Sequence, residues 1–428
     1  MPPHLNLPLR APQGGVPPLT GLRVVDFTRV VAGPFATQIL GDLGAEVIKI
    51  ENPQGGDDTR AVGREIAIGG ETPFFMSVNR SKRSVALNLR EPAGREVARD
   101  LIATADVLVE NFSGPVMRRF ELDYPRLRAR FPQLIYCSIS GYGRSGRNAD
   151  AGGYDSPVSA DAGVVSLNRW PDGDPVLGGV TYTDLCTALN ATIAILAALQ
   201  VRARDGVGQH VDVAMFDSAL ANLSFRGCEF LVSGVETPLY PRQASAPKGL
   251  FETADGSIVI TANEKMFRSF CLQVAERPDW IEDPRFATSV ERQRHGEAFL
   301  AELRAVLRTQ SSATWSERCK RAGIPCGVVR TPGEALLSPE AADRELVFGI
   351  PHPTAGLAPA IAQPFRLSET PCRYEAPPLL GQHTQEVLQG LLGYDAAHMA
   401  ALAGSGVIGQ PPSAPAAASG GSVAGEAR

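Results

Sequence analysis

Histidine is scarce in this chain, and the scarcity is uneven. The six histidines are His4, His210, His295, His352, His383 and His398, so none falls between residues 5 and 209. A Ser-His-Asp or Cys-His catalyst, or a histidine-based metal site, would have to bring its imidazole from far along the chain. His210 lies in a strand-like run and His383 in a turn, where structural roles are expected. Cysteine is sparse too: seven, scattered, with no C-x-x-C pair and no metal-ligand spacing. That favours reduced thiols over a disulfide framework. A net charge of -5 leaves no electrostatic footprint for nucleic acid, and no basic stretch suits an anionic membrane. Met1 to Pro18 is proline-rich and lacks the cationic, apolar, small-residue order of a signal peptide. The apolar run at 188–201 carries Asn190 and Thr192 and is shorter than the ~20 residues a bilayer requires. The expectation is a soluble, cytoplasmic protein with no nucleic acid and no membrane among its partners.

What is present is enough apolar sequence for a sizeable core. The 428 residues, 44% hydrophobic and 20% charged, suit two or three globular domains. Leu22–Phe27 reads as a strand. A helix opens at Pro34, where a missing N–H costs nothing, and carries one apolar face of Phe35, Ala36, Ile39, Leu40 and Leu43. Glu46–Glu51 is the next strand. This β-α-β order marks a parallel sheet covered by helices. A second unit follows: strand Val85–Leu89, helix Pro92–Ala103, strand Asp106–Glu110 and a further strand Leu134–Ile139. Later come a strand at Gln209–Ala214, a helix at Asp217–Val232 and a proline-bearing linker at Gly234–Gly249. A smaller unit has strands at Ser257–Ala262 and Gly323–Val329 and an amphipathic stretch at Phe299–Leu307. Thr384–Leu392 is a short terminal helix, and the Pro/Ala/Gly/Ser tail is expected to be disordered.

Gly141–Gly146 matches G-x-G-x-x-G. A dinucleotide site requires a helix to start at once, so that its N-terminus meets the pyrophosphate. Arg147–Tyr154 is loop chemistry instead, and the match reads as chance in a flexible loop.

Gly178–Arg204 holds the longest helix, expected from Leu185 onward and apolar on nearly every face between Ala188 and Leu199, as a buried helix is. Asp184 stands where it begins, facing N–H groups that have no intrahelical partner. Two readings follow. Asp184 is an N-cap, accepting those N–H bonds, or it is a carboxylate held at a buried mouth to react. Carboxylate chemistry needs neither histidine nor metal.

Several segments, in register, resemble the family III CoA-transferases: Asp26–Pro34 (DFTRVVAGP), Leu43–Glu51, Asn79–Ser84, Ala105–Phe112 (ADVLVENF), Gly153–Asp155 and Gly206–Gln209. Asp283–Phe286, Gly323–Cys326 and Pro377–Thr384 continue the match, which covers roughly residues 19 to 394. The resemblance implies an α/β fold. A large Rossmann-like CoA-binding domain of residues 19–232 would be completed by 340–403, with a linker and small inserted α+β domain at 233–339 and disordered ends at 1–18 and 404–428. It also implies an interlocked homodimer.

The resemblance makes Asp184 the catalytic nucleophile, which forms an aspartyl mixed anhydride and then an aspartyl-CoA thioester. CoA would be bound by Val31, Ala32, Asn52, Leu87, Asn88, Leu89, Arg90, Asn111, Phe112, Arg119, Gly153, Tyr154 and Asp155. Acyl-CoA and a carboxylic acid are the implied substrates, with no permanently bound cofactor and no metal. There are departures. Asn52 stands where formyl-CoA transferase has Arg, Ser113-Gly-Pro115 replaces Arg-Pro-Gly, and Glu121 replaces a usual glycine. No glycine run lies between Ser245 and Ser257. The racemases of the family place a histidine where this chain has Tyr154. A phenol is a poor base for moving an α-proton, so transferase is favoured over racemase. A CoA binder without turnover is the other alternative, and the presence of Asp184 argues for an enzyme.

Overall fold

A computed structural model describes residues 6–11, 14–149, 151–169, 173–236 and 247–409. Of the ends expected to be disordered, 1–18 and 404–428, residues 1–5 and 410–428 lie outside the described residues, as does most of the 234–249 linker; the nearer parts are placed instead, the Pro8 carbonyl accepting the Gly349 N–H at 2.9 Å and the Val407 carbonyl that of Asn88 at 2.8 Å. The chain divides into two compact units, residues 1–232 with 342–428, and residues 233–341.

The first unit is built on six parallel strands, β1 (Arg23–Asp26), β2 (Glu46–Glu51), β3 (Arg83–Ala86), β4 (Val107–Glu110), β5 (Ile135–Ser140) and β6 (His210–Ala214). Their spatial order is β3-β2-β1-β4-β5-β6, the doubly wound order whose direction reverses between β1 and β4. Both faces are covered, which explains why the strands are apolar at successive positions. Val25, Ile48, Leu108 and Tyr136 face a core that includes Val97 and Leu101 of the Pro92–Ala103 helix and Val387 and Leu388 of the Thr384–Leu392 helix. Val24, Val47, Val107 and Ile135 face the opposite core, with Ala36 and Leu40 of the Ala32–Asp42 helix and Ala188, Ala191 and Ile195 of the longest one. Each fully buried Val, Leu or Ile contributes about 1.5–3 kcal/mol. The C-terminal part returns to this sheet: the hydroxyl of Thr384 accepts the N–H of Ala86 at 3.0 Å, and Leu87 bridges Ile408.

The long helix runs from Tyr182 to Asp205, three residues earlier than expected. It is not buried all round. Its sheet-facing side is covered, whereas Leu189 and Ile193 are 47% and 64% exposed. The apolar pattern reports what a surface can bury, and none of the described residues covers that side. By length and composition the helix could cross a membrane, but Ala188, Ala191 and Ile195 are wholly buried in the sheet core. The expected 217–232 helix is two helices, Met215–Asn222 and Ser224–Ser233, broken where Ser224 adopts φ 51.

The second unit has an antiparallel sheet of β7 (Lys248–Glu252), β8 (Ser257–Thr261) and β9 (Cys326–Val328) in that order. Its core is aromatic, with Trp280, Phe299 and Trp315 buried. Both indoles find acceptors, Trp280 in Glu302 at 2.9 Å and Trp315 in the carbonyl of Leu307 at 2.7 Å, as buried indole N–H groups do.

Candidate active site

The site begins at the turn from β1 into the Ala32–Asp42 helix. Val30 there holds φ 71, a left-handed conformation that costs a β-branched residue about 1–3 kcal/mol. A buried ionic frame sustains it. Asp57 accepts the Val30 N–H at 3.3 Å and the Lys49 ammonium at 2.9 Å. Lys49 also donates to the Thr28 carbonyl at 2.7 Å. Burial alone would raise the Asp57 carboxyl, but the Lys49 charge and the Thr59 N–H hold it at about 2. Asp26 accepts Thr37 at 2.7 Å and Lys82 at 3.0 Å, and burial draws Lys82 down to about 8. Glycine is required at position 33, since a Cβ would lie 2.3 Å from that of Thr28.

The loops leaving β1 and β4 meet where the strand order reverses. The Asn111 side chain accepts the N–H of Arg29 at 2.9 Å and donates to its carbonyl at 2.7 Å, clamping the two together. Two adjoining cavities open here, at the carboxyl ends of the strands, where open α/β sheets bind ligands. The first, ≈ 240 Å³, is lined by Asn52, Leu87, Asn88, Leu89, Arg90, Phe112 and Arg119. The second, ≈ 200 Å³, is lined by Val31, Ala32, Asn111, Phe112, Gly153, Tyr154 and Asp184. Arg29 and Phe112 belong to both. Among the positions singled out from sequence, only Asp155 lines neither cavity. It stands behind Asp184, its carboxylate accepting the Asp184 N–H at 3.0 Å.

Asp184 is not the N-cap. That position is Thr181, whose side chain makes no capping bond, and Asp184 lies in the helix's first turn. The consequence is chemical. A capping carboxylate would be occupied by N–H groups, whereas the Asp184 carboxylate accepts no hydrogen bond among the described residues. Burial first, then the negative charge of Asp155, push it up to about 7. It is therefore a desolvated, unclaimed carboxylate on the cavity wall, about half ionised near pH 7. Its neighbours are placed by a tight backbone crossing: a Cβ on Gly153 would lie 2.5 Å from the Cα of Gly141. Tyr154 precedes the Asp155–Asp161 helix and is 70% exposed.

Sequence reasoning missed Arg144. Far from lying in a free loop, its N–H donates to Asp212 at 2.9 Å, and its Nη2 donates to Glu110 and to the Phe112 carbonyl, both at 2.7 Å. Arg144 lines the cavity that holds Asp184. The signal was its place: a cation just past the carboxyl end of a parallel strand. Glu121, standing where a glycine is usual, has φ 57, so the position does adopt the conformation glycine favours, and its carboxylate pairs with Arg99 at 2.9 Å.

Residues 19–384 match the family described as CoA-transferase family III. The chain belongs to CoA-transferase family III. It is 37% identical over 392 residues to the succinate–glutarate CoA-transferase of Agrobacterium fabrum, covering 88% of this chain and 96% of that one. It is 37% identical to the succinyl-CoA:glutarate CoA-transferase of Mus musculus, over 92% of this chain and 91% of that one. A CaiB/BaiF family protein from Brucella suis shares the fold with a TM-score of 0.81 at 33% identity, covering 88% of this chain and 100% of that structure. The mixed α/β fold with its six-stranded parallel sheet is thus the CaiB/BaiF fold, and the chain is a CoA-transferase enzyme of acyl-CoA metabolism. In this family III CoA-transferase, the adjoining cavities and the unclaimed carboxylate belong to one unit.

Proposed function

We propose that the enzyme transfers CoA from an acyl-CoA to a carboxylic acid through covalent intermediates on Asp184. The Asp184 carboxylate attacks the donor thioester carbonyl. The C–S bond breaks, leaving a mixed anhydride and CoA thiolate. The thiolate attacks the aspartyl carbonyl of the anhydride, releasing the donor acid and forming an aspartyl-CoA thioester. The acceptor carboxylate attacks that thioester and expels the thiolate again. Attack of the thiolate on the acceptor's carbonyl then yields the new acyl-CoA and restores the carboxylate. Covalent catalysis of this kind divides one hard exchange into easier steps.

The observation that carries this reading is the Asp184 carboxylate, free of hydrogen bonds among the described residues, in a cavity that adjoins a second and so lengthens the path available to a long substrate. In the proposal, the adenine end of CoA occupies the cavity of Leu87–Arg90 and the thioester reaches Asp184 past Phe112. No resident cofactor is required. The exposed Leu189 and Ile193 on a helix otherwise packed into the core, with Leu231 and Val232 both 83% exposed, support a homodimer in which a second copy covers this side, in the interlocked arrangement of the family.

The test is turnover with succinyl-CoA, acetyl-CoA and oxalyl-CoA against a panel of carboxylic acids, for wild type and Asp184→Ala. New thioesters from wild type and none from the variant are expected. Near-normal turnover in the variant would remove the nucleophile assignment.

A further inference from the structure

The charged side chains lining the Asp184 cavity are Arg29, Asp58, Arg144 and Asp184. Arg29 is loosely held: its side chain is about half exposed, it pairs with a similarly exposed Asp58 at 3.4 Å, and it lies over the Phe112 ring at 5.2 Å. Arg144 is held differently. Its Nη2 is used twice, by Glu110 and by the Phe112 carbonyl, while Nε and Nη1 make no hydrogen bond among the described residues. The side chain is 15% exposed, against 2% for Glu110, so a buried acid anchors the guanidinium while two of its donor nitrogens keep no protein partner among the described residues. The backbone N–H bond to Asp212 fixes the loop that carries it. A guanidinium oriented in this way, with donors to spare, suits a carboxylate.

We propose that Arg144 is a specificity-determining residue that holds the distal carboxylate of a dicarboxylic acid whose other carboxyl group reacts at Asp184. This deepens the proposed CoA transfer and rests on it. The reacting carboxyl group needs Asp184; the second carboxylate needs a cation in the same ≈ 200 Å³ space, and of the two cations there Arg144 is the one held in place, by Glu110 and the Phe112 carbonyl, whereas Arg29 is about half exposed. A monocarboxylic acid of the same length would leave the anchored guanidinium without its ligand, and sites built to bind a polar group reject analogues that lack it.

The experiment compares kcat/KM for glutarate and pentanoate as acceptors, with acetyl-CoA as a donor that has no distal carboxylate. Wild type is expected to prefer glutarate by at least about tenfold. Replacing Arg144 alone would strand a buried acid, so the main variant is Glu110→Gln with Arg144→Gln, and Arg144→Lys, which keeps the pair with Glu110, is the second. In both, the glutarate-to-pentanoate ratio should fall, by about tenfold or more in the double variant. An unchanged ratio in the folded variants, or a wild type without preference, overturns the assignment while leaving CoA transfer intact. A wild type that transfers CoA to no acid at all overturns the function and the assignment together.

Discussion

Replacing Asp155 by asparagine should shift the pH dependence of the first half-reaction. In the folded protein Asp184 moves from 3.8 to about 7, a shift worth about 4 kcal/mol against its ionised form. Burial is the larger of the two causes and the Asp155 charge the smaller. Removing that charge therefore recovers less than half of the shift. The amide oxygen of the introduced asparagine can still accept the Asp184 N–H, now at 3.0 Å from the carboxylate, so the geometry survives while the repulsion goes. Only the ionised carboxylate attacks. Wild-type kcat/KM for the donor acyl-CoA should fall about fivefold from pH 7 to pH 6, as the ionised fraction drops from about one half to about one tenth. In Asp155→Asn the acidic limb should move down, to an apparent pKa between about 5.5 and 7. Comparing the two proteins with one donor cancels the donor's own titration. A limb that stays in place, or moves up, would refute the electrostatic reasoning.

The same ionisation bears on stability. Folded Asp184 titrates above the unfolded carboxyl, so its charge opposes folding: the cost is absent below about pH 4, grows as pH rises and is complete above about 7. Asp184→Asn should therefore stabilise the fold more at pH 8 than at pH 5, by on the order of 2–4 kcal/mol, seen as a larger gain in melting temperature at pH 8 by scanning fluorimetry. Gly153→Ala should lower kcat about 100-fold by displacing Tyr154 and Asp155, with the far-UV spectrum retained. Arg90→Ala should raise KM for acyl-CoA and leave that for the acid acceptor in place, since Arg90 lines the first cavity and not the second. Leu189→Glu with Ile193→Glu should yield monomers in light scattering if a second copy covers the long helix.

Much of the sheet was legible because its strands are buried on both faces and its helices carry regular apolar stripes: the 22–51 β-α-β segment was readable from the strand-like runs Leu22–Phe27 and Glu46–Glu51 and the stripe of Phe35, Ile39 and Leu43 between them. What the apolar period cannot carry is partnership. It could not show that Leu189 and Ile193 face away from the core, because an exposed apolar residue looks the same in sequence as a covered one. Asp184 could be placed at the helix start, but whether it caps or stands free depends on where Thr181 turns, a backbone matter. Arg144 and Glu110 were not legible as a pair, since 33 residues and a strand separate them and only the β4–β5 pairing brings them together.

The nucleophilic role of Asp184 is tested most directly by mixing the enzyme with acyl-CoA in the absence of acceptor and mapping the protein by mass spectrometry. The peptide containing Asp184 should gain the mass of CoA less water, added acid acceptor should discharge it, and Asp184→Asn should never acquire it. An adduct on another residue, or turnover with no covalent intermediate at any time, would contradict that role.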